Sequence, residues 1–244
     1  MVHIYYAKLQ NRLPGGLSEL AWRLCIYAIR RELFPDDSSA IAAGDLDDLI
    51  DRDSRGRLID HSERGKPSLK QEILRAADRE RPWYFNLSHS GEYAVCATAD
   101  TEIGCDIQQI SPERKQLAER FFHETEREYI SQASGAADSA TTPAQEERDK
   151  RFTRIWTMRE SYAKMTGEGI GIMQEFHIGL SGEEACVYRK QIQRNEKADA
   201  AYSKTPAAFR QAEIDPDYSC TVCCENSAVF DASVPCFNLT GVLE

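Results

Sequence analysis

The residues best suited to chemistry fall in a few short stretches of the chain. The first is Trp156-Thr157-Met158-Arg159-Glu160-Ser161-Tyr162-Ala163-Lys164. Phe152, Ile155, Trp156 and Ala163 define the inward face of a helix, and Trp156, Glu160 and Lys164 follow one another at steps of four. A step of four turns a helix by only about 40°, so these three form one ridge. Two readings are open. The plainer one is an i,i+4 Glu–Lys pair on a solvated face, worth about 0.3 kcal/mol. The functional one is a carboxylate that binds a metal beside a lysine that meets a phosphate.

In Gly104-Cys105-Asp106-Ile107-Gln108, strand alternation puts Cys105 and Ile107 on one face and Asp106 and Gln108 on the other. A carboxylate inside a partly buried strand is costly if unpaired. Either the strand lies at a wet edge or a metal removes the penalty. Magnesium suits the second case, because it prefers oxygen ligands and sits between one or two carboxylates and substrate phosphates.

Phe85-Asn86-Leu87-Ser88-His89-Ser90-Gly91 offers serines beside a histidine. It is not the Gly-x-Ser-x-Gly elbow of a hydrolase, and neighbouring residues of an extended chain point to opposite sides. A strand end that delivers His89 and a serine hydroxyl to a phosphate fits better. Gly65-Lys66-Pro67 reads as a turn with an exposed lysine. Gly167-Glu168-Gly169-Ile170-Gly171 follows a helix rather than a strand, which removes a dinucleotide-binding reading and leaves a helix stop and turn.

The elements that must position these residues follow from periodicity. Met1–Ala7 reads as a short strand, and Leu17, Leu20, Ala21, Leu24 and Ala28 give a helix over 17–33. An acid-rich stretch runs from Asp36 to Asp60 and is expected to be a solvated helix and turn. Its Asp51–Gly56 segment is similar to a calcium loop, but Arg55 stands at the third acidic position and Ser62 at that of the closing glutamate, so no calcium site is expected. Period two over Trp83–Ser88, Tyr93–Ala99 and Glu102–Gln108 predicts three strands. Ser111-Pro112 predicts a helix start running to about Phe122, and 131–143 a flexible loop. Thr142-Pro143 predicts a second helix, ending at Thr166 with Gly167 beyond. Strands are expected at Glu175–Leu180, Ala185–Lys190 and Tyr218–Cys224. The pattern gives an α+β or mixed α/β class in two halves, 1–110 and 111–244.

The chain has 244 residues, 41% hydrophobic and 29% charged, which suits a globular protein. Its net charge of −10 argues against a nucleic acid partner. No run of about 18 apolar residues predicts a membrane span, and the first residues lack the pattern of a signal peptide, so a cytoplasmic protein is expected. Eight cysteines are present. Only Cys220, Cys223 and Cys224 cluster, without the second ligand pair of a zinc site, and they read as reduced thiols on a buried strand.

Taken in order, Gly65-Lys66-Pro67, Phe85–Ser90, Gly104–Asp106 and Trp156–Lys164 resemble the motifs of the Sfp-type (surfactin-synthetase-activating) 4′-phosphopantetheinyl transferases. Phe121–Glu126 is similar to the family's Phe-x-x-x-Glu segment. The resemblance spans about residues 64–171. It implies an α+β fold with a pseudo-two-fold repeat of two similar halves and the active site between them. It also implies transfer of 4′-phosphopantetheine from coenzyme A to a serine of an acyl or peptidyl carrier protein, with Mg2+ as cofactor. By the same resemblance, Asp106 and Glu160 would ligate magnesium and Lys164 would neutralise the pyrophosphate. Lys66, Pro67, Ser88 and His89 would line the coenzyme A site, His89 and Lys66 holding phosphates. Glu160 is the candidate base. A single-chain pseudo-dimer of this kind is expected to be monomeric.

Two positions depart from the family pattern. Gln108 stands where a third acidic ligand is common, so that its amide, or a water behind it, would complete the metal shell. Arg159 replaces the usual lysine before the glutamate, a conservative change only if charge alone matters. A non-catalytic relative that holds coenzyme A or a carrier protein is the competing reading, favoured by Gln108. A magnesium-dependent hydrolase of a nucleotide pyrophosphate is a third.

Overall fold

The computed structural model describes residues 1–35, 58–79, 81–132, 142–182, 184–191, 201–226, 230 and 234–243. The class is α+β, as expected. Residues 36–57 of the acidic stretch and residues 133–141 of the expected 131–143 loop lie outside the described residues.

Two helix-on-sheet units make up the fold. In the first, helix α1 (Gly16–Leu33) covers a sheet of order β12-β1-β5-β4, formed by β1 (Val2–Lys8), β4 (Tyr84–Ser90), β5 (Tyr93–Ala99) and β12 (Cys236–Asn238). Leu20, Leu24 and Ala28 are buried as the stripe predicts, against Tyr5, Phe85 and Cys96. Arg30 and Arg31 lie in the last turn of α1 and Glu19 in the first, which complements the helix dipole. In the second unit, helix α5 (Thr142–Thr166) lies on a sheet of order β10-β11-β6, from β6 (Ile103–Gln109), β10 (Ala208–Ala212) and β11 (Tyr218–Cys224).

The remaining faces of the two sheets meet. Val95, Ala97 and Ala99 of β5 pack with Ile103, Cys105 and Ile107 of β6 and with Cys220, Val222 and Cys224 of β11. Strand β5 is therefore buried on both sides, and its small, apolar sequence is what allows two layers to close on it. All eight cysteines are free thiols, and those of β11 are buried.

Each unit takes strands from both sides of residue 110, the expected boundary. Strand β6 precedes residue 110 and pairs with β11, while β12 follows it and pairs in parallel with β1. Arg23 donates to the Leu243 carbonyl at 2.6 Å, tying the chain's end to α1.

One expected helix starts late. Ser111 and Pro112 were expected to open it, yet helix α3 spans only Lys115–Phe121 with Arg114 at its N-cap. The backbone donors before it are spent elsewhere: Ile110 N–H on the Asp217 carbonyl and Glu113 N–H on Asp149 Oδ1. Helix α4 (Glu124–Ser131) was not anticipated as a helix. His123 caps it, and Glu126 reaches back to the His123 N–H at 2.6 Å. Short strands of three residues also escaped the periodicity. They are β2 (Ile59–His61) with β3 (Pro67–Leu69), and β9 (Tyr202–Lys204) beside β8 (Glu184–Lys190), which pairs with β7 (Phe176–Ser181). A short helix α2 (Gln71–Ala76) follows β3.

Candidate active site

The site grows from the seam between β4 and β6, where the edges of the two sheets meet. Alternate side chains of β4 take the place of a backbone ladder. Asn86 Oδ1 accepts from Cys105 N–H at 3.0 Å, Ser88 Oγ from Ile107 N–H at 3.2 Å, and Ser90 Oγ from Gln109 N–H at 3.1 Å. This explains the alternating polar residues of Asn86-Leu87-Ser88-His89-Ser90: a buried strand edge must have its donors satisfied. Ser88 and Ser90 are thus turned toward β6. His89 is exposed, on the face of β4 that carries Phe85 and Leu87.

Gly104 puts β6 close to α5. A Cβ there would collide with the Ser161 carbonyl and the Met165 amide, so only glycine permits the approach. Two residues on, Asp106 faces the same helix and is buried. Its Oδ1 accepts from Lys164 Nζ at 2.7 Å and Ser88 Oγ at 2.8 Å, and its Oδ2 from Gln108 Nε2 at 3.1 Å. Lys164 also donates to the Cys105 carbonyl and to Ser88 Oγ, each at 3.1 Å. Burial pulls the Lys164 ammonium down, but Asp106 beside it holds it above the ordinary lysine range.

The i,i+4 reading of Glu160 and Lys164 is corrected here. The ion-pair partner of Lys164 is Asp106, and among the described residues the Glu160 carboxylate has no hydrogen-bond partner. Burial and the charge of Asp106 push its pKa up, and Lys164 opposes the shift. Nor is α5 solvated on its far side: Thr153, Thr157, Arg159 and Ser161 are all buried.

Glu160 and Lys164 open onto a cavity of about 260 Å³, walled by the Arg64–Pro67 turn, by Asn86 and Leu87, and by the turn after α5. Lys66 and Pro67 are thus brought to the cavity, whereas His89 is not among its lining residues. The Lys66 ammonium is engaged with the Glu102 carboxylate and the Met165 carbonyl. The glycine-rich turn that reads only as a helix stop also forms a wall. Gly167 closes α5 in the left-handed region (φ 69°), and a Cβ there would press on Lys66 Cδ at 3.2 Å. Arg64, also at the cavity, was missed by the sequence reading, because nothing local distinguishes it from other surface arginines. A larger cleft of about 1130 Å³ lies beside β10 and carries none of these residues.

Asp106 and Glu160 supply two carboxylates, which are hard oxygen donors, while Gln108 turns its amide nitrogen to Asp106 and its oxygen to Ser90 Oγ at 3.4 Å. Burial and the charge of Asp106 raise the Glu160 pKa, an imbalance that a divalent cation with oxygen ligands would relieve. Among the described residues, no group of three or more His, Cys, Asp and Glu side chains is placed to hold a metal.

Comparison with known proteins identifies a family. The family model of the 4′-phosphopantetheinyl transferase superfamily matches residues 102–223, which include β6, α5 and β11. The chain belongs to that superfamily. It is 30% identical over 178 residues to the 4′-phosphopantetheinyl transferase gsp of Aneurinibacillus migulanus, covering 72% of this chain and 62% of the relative. It is 32% identical over 165 residues to the transferase HetI of Nostoc sp., covering 66% and 57%. The transferase Sfp of Bacillus subtilis matches at 30% over 141 residues, covering 57% and 54%. The chain thus spans between 54% and 62% of the length of these relatives. Among the described residues no helix is long and apolar enough to cross a membrane.

Proposed function

We propose that this chain transfers the 4′-phosphopantetheine group of coenzyme A to a serine of an acyl or peptidyl carrier protein, releasing adenosine 3′,5′-bisphosphate. The observation that carries the reading is the Glu160 carboxylate. It lies at the cavity without a hydrogen-bond partner among the described residues, with a raised pKa, beside the Asp106–Lys164 pair.

In this reaction the serine oxygen attacks the phosphorus bearing pantetheine, and the bond from that phosphorus to the leaving phosphate breaks. The serine proton passes to Glu160, whose raised pKa makes it a better acceptor near neutral pH. The electron pair of the broken bond leaves on the adenosine bisphosphate. Lys164 sets positive charge at this centre and is itself oriented by Asp106, Ser88 and the Cys105 carbonyl. Asp106, Glu160 and Gln108, directly or through a water, would hold the magnesium that the family resemblance implies. When bound it would oppose charge on the phosphate oxygens. The remaining work is positioning and charge neutralisation, as phosphoryl transfer requires.

One observation favours a second reading, a non-catalytic relative that holds coenzyme A. Gln108 presents its amide nitrogen, not an oxygen, to Asp106. Intact mass of apo carrier proteins after incubation with the chain, coenzyme A and magnesium separates the two. Transfer predicts the mass of one phosphopantetheine added, lost in Glu160→Ala and with a chelator. Retained coenzyme A binding with no carrier modified sinks the transferase and leaves the binder. Further expectations under this proposal are a cytoplasmic, monomeric protein without nucleic acid partners.

A further inference from the structure

Helix α5 lines two separate openings. Glu160 and Lys164 open onto the cavity of the site, whereas Arg154 and Met158, again four residues apart, line the cleft of about 1130 Å³ beside β10. That volume is of the size that holds a small organic molecule. The lining is part apolar and part charged. Met158 and Ala207 are buried, and Phe209 of β10 and Phe230 add aromatic surface. Arg154, Lys204 and Arg210 stand against Glu184 and Glu213. Three bases against two acids leave the lining positive, in a chain whose net charge is −10.

Arg154 is the group that most needs a ligand. It is half-buried, and among the described residues its guanidinium makes one hydrogen bond, to a neutral group: Nη1 donates to the Tyr129 hydroxyl at 3.3 Å. Its Nε is buried without a hydrogen-bond partner among the described residues. A buried donor left unpaired is costly, and most of all on a charged group. A guanidinium has five donors, and an oxyanion is the acceptor that matches them best. A second cleft, of about 530 Å³, shares Arg154, Gln211 and Glu213 with the first and adds Lys150, one turn before Arg154 on α5. Arg154 thus stands where the two clefts adjoin.

We infer that the cleft beside β10 is a second binding site, for an organic anion with an aromatic or apolar body whose oxyanion head rests on Arg154. Phe209, Phe230 and Met158 supply the surface for the body, and the planar guanidinium takes the head with parallel donors. A cationic or purely apolar ligand would leave Arg154 unsatisfied. The site is separate from the proposed coenzyme A cavity, because Asp106, Glu160 and Lys164 do not line it. It therefore stands whether or not the chain is a transferase.

The test is a fluorescence titration with anilinonaphthalene sulfonate, an aromatic sulfonate, in the presence of excess coenzyme A to keep the Glu160 cavity occupied. The wild-type chain is expected to bind one dye. Arg154→Met should weaken binding about tenfold, by removing the partner of the sulfonate. Ala208→Trp keeps Arg154 but fills the cleft, and should weaken binding at least as much. Glu213→Gln removes a carboxylate from the same lining and should tighten binding roughly threefold, which keeps the test decisive should Arg154→Met fail to fold. Arg148→Gln removes a positive charge of α5 outside the cleft and should change affinity by less than about twofold. Wild-type affinity in Arg154→Met or Ala208→Trp, weaker binding in Glu213→Gln, an equal loss in Arg148→Gln, or no dye bound to the wild type overturns the inference.

Discussion

Arg159 and Glu126 form an ion pair in which neither side chain has solvent exposure. The Arg159 Nη1 donates to Glu126 Oε1 at 2.7 Å and Oε2 at 2.8 Å. The other terminal nitrogen of Arg159 donates to the Met173 carbonyl and to that of Phe176, and the guanidinium lies over the rings of Phe122 and Phe176. Glu126 is in turn bound by the Ile178 and His123 amides. The pair joins α4, α5 and β7, and every oxygen of the carboxylate is used. Arginine at this position is therefore a packing residue whose fork geometry matters.

Arg159→Lys should keep a charge near Glu126 but lose the bonds to the two carbonyls, costing about 1–3 kcal/mol. Arg159→Met leaves a buried, unpaired carboxylate and should cost about 3–5 kcal/mol. Urea denaturation of the three proteins orders them. Equal stability of wild type and Arg159→Lys would show that charge alone suffices.

Glu160 trades stability for function. Between the ordinary carboxylate pKa and its raised value, the folded chain binds more protons than the unfolded one, so stability falls as pH rises through that window. Glu160→Gln should raise the thermal midpoint at neutral pH by roughly 2 °C. It should also lower carrier modification by about 10²–10⁴-fold. A midpoint that drops instead would mean the ionised carboxylate is stabilised in the free protein.

Glu32 has the opposite sign. It sits in the last turn of α1 and accepts from Tyr5 at 2.8 Å, Thr98 at 2.7 Å and Trp83 Nε1 at 2.7 Å, with His3 Nδ1 at 2.9 Å. Burial pushes its pKa up, but hydrogen bonds from His3, Thr98, Trp83 and Tyr5 outweigh that and hold it below the ordinary range. The stability it contributes is present above the unfolded-state pKa and is lost as pH falls through the folded one. Glu32→Gln should cost about 2–4 kcal/mol at pH 7 and flatten the acid limb of stability against pH. An unchanged acid limb would assign acid unfolding to other carboxylates.

Gln108→Glu tests the metal shell without an activity assay. The substitution exchanges an N–H donor to Asp106 for a third negative charge, so without metal the variant should melt below wild type. Magnesium should recover that loss and bind more tightly to the variant than to wild type, by about tenfold in calorimetry. A variant that magnesium does not stabilise would place the Gln108 side chain outside the shell.

Much of the site was legible in the sequence because local periodicity reports which face a side chain takes. Alternation put Asp106 and Gln108 on one face of β6, and helical spacing put Glu160 and Lys164 on one ridge of α5. Both hold, as do β4, β5, β11 and the stop at Gly167. Periodicity does not report which distant segment arrives at that face. Only the tertiary structure gave Lys164 to Asp106 rather than to Glu160, since the two residues lie 58 positions apart in the chain. The same holds for the β4–β6 seam, for Glu32 with its four partners, and for the Arg189–Glu168 pair. It holds again for β12, whose three residues carry no signal until β1 lies beside them. Short-range sterics and burial patterns are written in consecutive residues. The partners of buried charges and of edge strands are not, because what satisfies them is whatever part of the chain the folded core brings within hydrogen-bonding reach.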